Sequence, residues 1–324
     1  MPRLSIIIPV LDSTSLLEEG LVSVLQYRPA DCEVIVVLNG EYDDPYNLRD
    51  EDVRFVNAGE ANDWLSVVNR GLSVAAGDVV HLLACGAEVQ EAWADRALAH
   101  FEDAQIAAVA PLVLTAGDTN RVLSAGVQFS RGGSAGPWLT GKSISSVPGE
   151  AQLALGPTAV AAFYRTEALN QVGDQFDSLV GPALADVDLA LRLQQGGFQA
   201  VFEPASQIVL PRETLPTEAA GRDRSRHLER LFWRHLPQTS RAASIATHAL
   251  SVLGESLVGL FTMRVHKTLA GRFQGFCDSL LGRARYAKRA APASESVRSL
   301  RIDAAQRAKG KRPNETQRPL RRSA

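Results

Sequence analysis

The sequence predicts an α/β fold: a sheet of parallel βαβ units with helices on both faces, followed by a helical C-terminal extension. Three observations lead there. β-branched runs alternate with helix-spaced apolar patterns from Leu4 to Pro111, which is the pattern of βαβ units. Hydrophobic residues make up 45% and charged residues 22% of the 324, enough apolar matter for a sizeable core. From Thr217 the strand signals stop and helical spacing takes over.

The elements follow in order. Leu4–Val10 reads as a buried strand with Pro9 near its end. Ser15-Leu16-Leu17-Glu18 reads as a capping box, with Leu17, Leu21, Val24 and Leu25 at helical spacing behind it. Glu33–Leu38 is a second strand closed by Asn39-Gly40, and Val53–Val56 a short third one. Trp64–Ala76 is expected to be a helix stopped by Gly77, and Val79–Leu83 a strand running into the turn Ala84-Cys85-Gly86. Ala92–Phe101 is helical, and Ile106–Ala110 is a strand expected to end at Pro111. Residues 112–155, rich in Gly, Ser and Thr, are expected as loops and short strands. Thr166–Val172 and Asp186–Gln195 are helices, and Ala200–Phe202 is a strand. In open α/β sheets ligands sit beyond the carboxyl ends of the strands. The ends at Pro9-Val10, Asn39-Gly40 and Ala84-Cys85-Gly86 are therefore expected to converge on a site.

Composition narrows the setting. The three cysteines, Cys32, Cys85 and Cys277, are scattered and odd in number, so neither a disulfide framework nor a thiolate metal cluster is expected, and a reducing compartment fits. The first apolar run is too short for a signal peptide, and no stretch approaches a spanning helix. The net charge of −2 hides an asymmetry: residues 221–324 hold 22 Lys and Arg against 7 Asp and Glu, a balance of +15, leaving −17 on the first 220 residues. An acidic domain with a basic appendage results. The appendage could meet an anionic membrane, nucleic acid or the acidic domain itself, although no aromatic-interleaved motif points to nucleic acid.

A further set of stretches carries a resemblance. Besides Leu4–Val10 and Glu33–Gly40 these are Asn69-Arg70-Gly71, Asp118 to Gly126, Tyr164 to Asp177, Ala185-Asp186-Val187-Asp188-Leu189-Ala190-Leu191-Arg192-Leu193, and Phe202-Glu203-Pro204. In this order, over residues 3–212, they resemble the family-2 glycosyltransferases, especially the rhamnosyltransferase-like branch with the GT-A fold. The resemblance implies a nucleotide-diphosphate sugar as donor and a glycan or lipid-linked acceptor. It implies Asp186 as the catalytic base. Pro9, Val10, Leu38, Asn39, Gly40, Asn69, Ala84, Cys85 and Gly86 would line the donor site, with Asp188, Arg226 and Arg230 on the acceptor side.

The departures are chemical. Where the family carries a nucleotide-binding Asp stands Leu38; where it carries Asp-x-Asp stands Ala84-Cys85-Gly86; a Glu is Ala185 and a His is Leu210. A hard divalent cation needs oxygen ligands, and these residues offer none; Glu88, two positions on, is a poor substitute. No metal cofactor is therefore expected, and transfer, if it occurs, would be inverting and metal-independent. Losing a cation at the leaving diphosphate costs on the order of several kcal/mol unless cationic side chains or backbone amides replace it. The alternative reading is a catalytically inactive scaffold or regulator of a glycan-assembly complex. Asp186 itself stays open between base and helix cap. Asp188 and Arg192 are spaced to pair across one turn. Cys85 reads as a small hydrophobe, His81 as a satisfied core side chain, and the four tryptophans, Trp64, Trp93, Trp138 and Trp233, as packing.

In the appendage, Arg226, Arg230 and Arg234 form one basic stripe, either an anion-binding surface or a solvated face. Residues 241–263 are amphipathic. Their apolar face (Ile245, Ala249, Leu250, Val252, Leu253, Leu257, Leu260, Phe261) is expected against a neighbouring helix, a second copy of the chain, or lipid. The basic residues that follow, Arg264, Lys267, Arg272, Arg283, Arg285, Lys288 and Arg289, would suit an anionic leaflet. The division expected is 1–215 for the catalytic-type domain, 216–290 for the helices and 291–324 for a disordered basic tail. The setting expected is cytoplasmic, at the inner face of the plasma membrane.

Overall fold

In the computed structural model the described residues are 3–11, 16–45, 47–49, 53–59, 61, 63–173, 176–211, 221–237, 239–261 and 265–289. The strands are β1 (Leu4–Val10), β2 (Cys32–Leu38), β3 (Arg54–Asn57), β4 (Val79–Leu83), β5 (Glu88–Val89), β6 (Ile106–Thr115), β7 (Asp118–Ser124), β8 (Val127–Phe129), β9 (Ala135–Pro137), β10 (Gln152–Ala154), β11 (Ala161–Arg165) and β12 (Gln199–Leu210). The helices are α1 (Leu17–Tyr27), α2 (Trp64–Leu72), α3 (Trp93–Ala99), α4 (Thr166–Val172), α5 (Ala185–Gln195), α6 (Arg222–Arg234), α7 (Arg241–Phe261) and α8 (Val265–Arg289). The main sheet runs β10-β12-β6-β11-β4-β1-β2-β3, with β5 and β7 on its margins. β4, β1, β2 and β3 are parallel, as the βαβ pattern predicts; β11 is inserted antiparallel between β4 and β6 and makes the sheet mixed.

Every residue of β1 is buried, because helices cover both faces of the sheet. Ile7 joins the layer under α2 and α5, while Ile6 and Ile8 join the layer under α1 and α3. A side chain at Gly71 would strike Ile7, so α2 lies directly on the sheet there. Pro9 interrupts nothing. Val10 accepts from Asn39 N–H on the β2 side, and pairing with β4 has ended at Ile7, so the missing N–H of Pro9 falls on the unpaired side.

Some elements differ from expectation for identifiable reasons. α2 ends at Leu72 rather than Ala76: Ser73 N–H closes on Asn69 O, and the chain is then drawn to the sheet by Ala76 N–H on Glu33 Oε1 and Gly77 N–H on Ser5 Oγ. β6 passes through Pro111 to Thr115, because β12 is irregular between Glu203 and Gln207 and the ladder shifts register opposite the proline. Residues 112–155 include β7, the β8–β9 hairpin and β10. Ser15 of the capping box lies outside the described residues, as does the tail from 291. Leu16 caps α1 without a side-chain bond.

Candidate active site

The carboxyl ends of β1, β2 and β4 lie side by side, as the topology requires. Val10 and Leu38 are buried at the ends of their strands, and Asn39 and Gly40 are exposed beyond them. β4 ends in a tight turn, with Ala87 N–H donating to Ala84 O at 3.1 Å. Gly86 holds φ +79° there, and a Cβ would come within 2.9 Å of Leu16 Cβ. Gly20 of α1 rests on the same backbone. A carboxylate at position 86 would therefore need a left-handed backbone and the space Leu16 fills.

Asp186 stands in the first turn of α5 and is half-buried. Its Oδ1 accepts from Val187 N–H at 2.7 Å and its Oδ2 from Ala159 N–H at 3.4 Å. Burial pushes its pKa up to about 7, against the lowering effect of the Val187 and Ala159 amides. The next residue carries the link to the sheet: Val160 O accepts from Ala84 N–H at 2.8 Å. The turn Thr158–Ala161 thus bridges the carboxylate of Asp186 and the strand end that resembles the donor motif. Sequence reasoning missed this bridge, since it is made of backbone groups with no side-chain signature.

Other expected site residues have structural duties. Asn69, placed by resemblance at the donor, uses its amide as a clamp on residue 176: Nδ2 donates to Phe176 O at 3.0 Å, and Oδ1 accepts from Phe176 N–H at 2.9 Å. Asp188, expected on the acceptor side, is fully buried. It accepts from His235 Nε2 at 2.8 Å and Arg192 Nε at 3.0 Å, and Arg234 Nε lies 3.2 Å away. Burial alone would raise its pKa, but His235, Arg234 and Arg192 hold the carboxyl below its usual range. An acceptor cannot touch it. Arg226 and Arg230 both close on Asp278 of α8, at 2.6 and 2.7 Å, and Arg230 also reaches Leu179 O. Arg234 pairs with Asp177 at 2.9 Å. The basic stripe is thus a seam joining α6 to α8 and α5, in place of a solvated face.

Ala185 and Leu210, where the resemblance expects Glu and His, are fully buried. Burial pushes the Cys85 thiol up to about 11, so it is protonated at neutral pH. His81 stacks on Phe163 at 3.8 Å and places Nδ1 3.2 Å from Ala162 O. Among the described residues its Nε2 has no partner, a correction to the satisfied histidine expected, and burial lowers its pKa to about 3. Glu88 is exposed in β5, opposite Val209 of β12. The donor set at 84–86 (a methyl, a protonated thiol and no side chain) does not fit Mg²⁺ or Mn²⁺. Among the described residues no group of three or more His, Cys, Asp or Glu is placed to hold a metal. A cavity of about 510 Å³ lined by Leu25, Arg28, Cys32, Glu33, Arg49 and Arg54 opens at the amino ends of β2 and β3, the sheet edge opposite the candidate site. Its cations are engaged: Arg54 reaches Val74 O and Arg49 lies over Phe55.

Residues 5–173 match the sequence profile described as "Glycosyl transferase family 2", a span that stops short of Asp186. No curated protein matches the chain. Among solved structures, a mannosyltransferase from Pyrobaculum calidifontis in complex with GDP-Man and Mn²⁺ shares 18% identity over 86% of this chain and 87% of its own, with a TM-score of 0.50. GalNAc-T7, crystallised with UDP, GalNAc and Mn²⁺, shares 13% identity with a TM-score of 0.56 over 76% of this chain and 51% of its own. The chain thus spans about half of that second protein. At such identities the likeness is one of fold, the GT-A fold.

Proposed function

The chain belongs to glycosyl transferase family 2, and from that premise we propose that it handles a nucleotide-diphosphate sugar at the carboxyl ends of β1, β2 and β4. The nucleotide lies along Pro9, Val10, Leu38, Asn39 and Gly40, and the diphosphate over Ala84-Cys85-Gly86. Asp186 takes the proton of the acceptor hydroxyl as that oxygen bonds to the sugar's anomeric carbon with inversion. The bond to the nucleotide diphosphate breaks, and the leaving group carries away the electron pair. Backbone amides or a cationic side chain, in place of a metal, oppose the leaving charge. The acceptor is a glycan or a lipid-linked glycan at the cytoplasmic face of a membrane, as in the rhamnosyltransferase-like branch. Residues 1–215 carry this chemistry, and 216–290 form the helical appendage.

The observation that carries the reading is the bridge through Thr158–Ala161. It ties a carboxylate with a pKa near 7 to the end of β4. A base poised near neutrality suits proton abstraction, whereas a carboxylate serving only as a helix cap is expected to titrate low. Calorimetry with GDP and with UDP, each with and without Mn²⁺, tests it. Nucleotide binding unaffected by Mn²⁺ is expected; binding that requires Mn²⁺ would refute the metal-independent site.

A second reading, a non-catalytic scaffold in glycan assembly, is favoured by the close packing of Gly86 on Leu16. It predicts that a folded chain binds neither nucleotide.

A further inference from the structure

α7 packs inside out. Its inward face is polar. Ser244 accepts from Arg131, His248 meets Gly132 O at 2.8 Å and Glu229 at 3.1 Å, and Glu255 accepts from Arg272 at 2.7 Å. His248 also stacks flat on Phe232, with ring centroids 3.7 Å apart. The apolar face, expected on a neighbouring helix, a second copy or lipid, points outward: Leu250, Leu253 and Leu257 are 69, 61 and 60% exposed, with Ile245 and Ala249 alongside. Between residues 242 and 261 the only ionisable side chains are His248 and Glu255, and both turn inward. α8 repeats the arrangement. Gly271 and Gly275 press against the α6 carbonyls of Arg222 and Arg226, and Phe273, 71% exposed, faces out with Leu269 and Leu280.

A water-facing row of leucines on each of two helices calls for a cover. The chain's own continuation does not suit: residues 265–324 hold 15 Lys and Arg against 4 Asp and Glu, and the part beyond 290 is short of large apolar residues. A second copy would bring two strongly basic segments together, which like charge opposes. An uncharged apolar face followed in sequence by a basic stretch complements an anionic bilayer on both counts. We propose that the outer faces of α7 and α8 lie in the interface of an anionic lipid membrane. The proposal rests on the membrane-side acceptor reading above and specifies its surface.

Flotation of the full chain with phosphatidylcholine–phosphatidylglycerol vesicles, against phosphatidylcholine alone, tests it. Binding to the anionic vesicles is expected, weakened by salt. The combined variant Leu250→Ser, Leu253→Ser, Leu257→Ser should lower the bound fraction about tenfold with an unchanged circular dichroism spectrum, since these side chains are mostly exposed. Phe273→Ser provides an independent reading from α8. A chain that ignores anionic vesicles, or a triple variant that binds like the parent, overturns the proposal. So does a dimer in sedimentation velocity that the triple variant dissociates while vesicles stay unbound. The assay reads no nucleotide, so its failure is separate from failure of the donor site.

Discussion

His235 Nε2 meets Asp188 Oδ1 at 2.8 Å, and the Gln195 amide meets the other ring nitrogen at 3.0 Å. One imidazole at the end of α6 thereby joins two turns of α5. Arg192 and Arg234 complete the surroundings of a carboxylate with no solvent contact. The helix that presents Asp186 is fixed from the appendage side.

His235→Ala is therefore expected to cost about 2–4 kcal/mol, because it strips a partner from a buried charge. Urea unfolding measures it. The ion-pair contribution of Asp188 has a definite sign with pH. Its native pKa is below 3.8, so the contribution is complete above about pH 4 and is lost as pH falls through the lowered value.

Asp186→Asn should leave nucleotide binding intact and reduce transfer by about 10²–10⁴-fold, the usual worth of a general base. Calorimetry and a donor-turnover assay separate the two effects. Equal loss of binding and turnover would argue for a structural role.

The same carboxyl sets a pH dependence. Transfer should rise with pH through about 7, as the base ionises. Stability should run the other way. The folded pKa is raised, so the native state holds its proton between about pH 4 and 7 while the unfolded chain does not, and stability falls as pH climbs through that window. At pH 8 Asp186→Asn should exceed the parent by roughly 1–3 kcal/mol, with the difference vanishing near pH 4. A residue kept only as a helix cap would instead lose stability on substitution.

Gly86→Ala should destabilise by about 1–3 kcal/mol, from the left-handed backbone and the Leu16 contact together. Thermal melts with and without Mn²⁺ test a companion point. Restoring carboxylates with Ala84→Asp and Gly86→Asp should not produce a Mn²⁺-dependent gain, because the turn is packed around a residue without a side chain.

Much of the fold was legible. β1, β2 and β4 are apolar runs interrupted only by Ser5, Glu33 and His81, and burial on both faces, complete but for Cys32 and Glu33, is what such runs mean. Asp188 and Arg192 pair across one turn of α5, as their spacing required. The orientation of α7 was not legible: periodicity defines two faces and leaves open which is inside. Three arginines at helical spacing likewise do not disclose that Asp177, Asp188 and Asp278, distant in sequence, will meet them. β6 outran Pro111 because the accommodating irregularity belongs to another strand.

Ala84 and Asp186 lean on adjacent residues, Val160 and Ala159, of one short turn. A ligand that lifted the tip of β4 would pull on Val160 through the Ala84 N–H bond, and on Ala159 next to it. The amide that steadies the carboxylate then moves with the floor of the site. With a donor seated as proposed, occupancy at one end and proton affinity at the other are expected to change together.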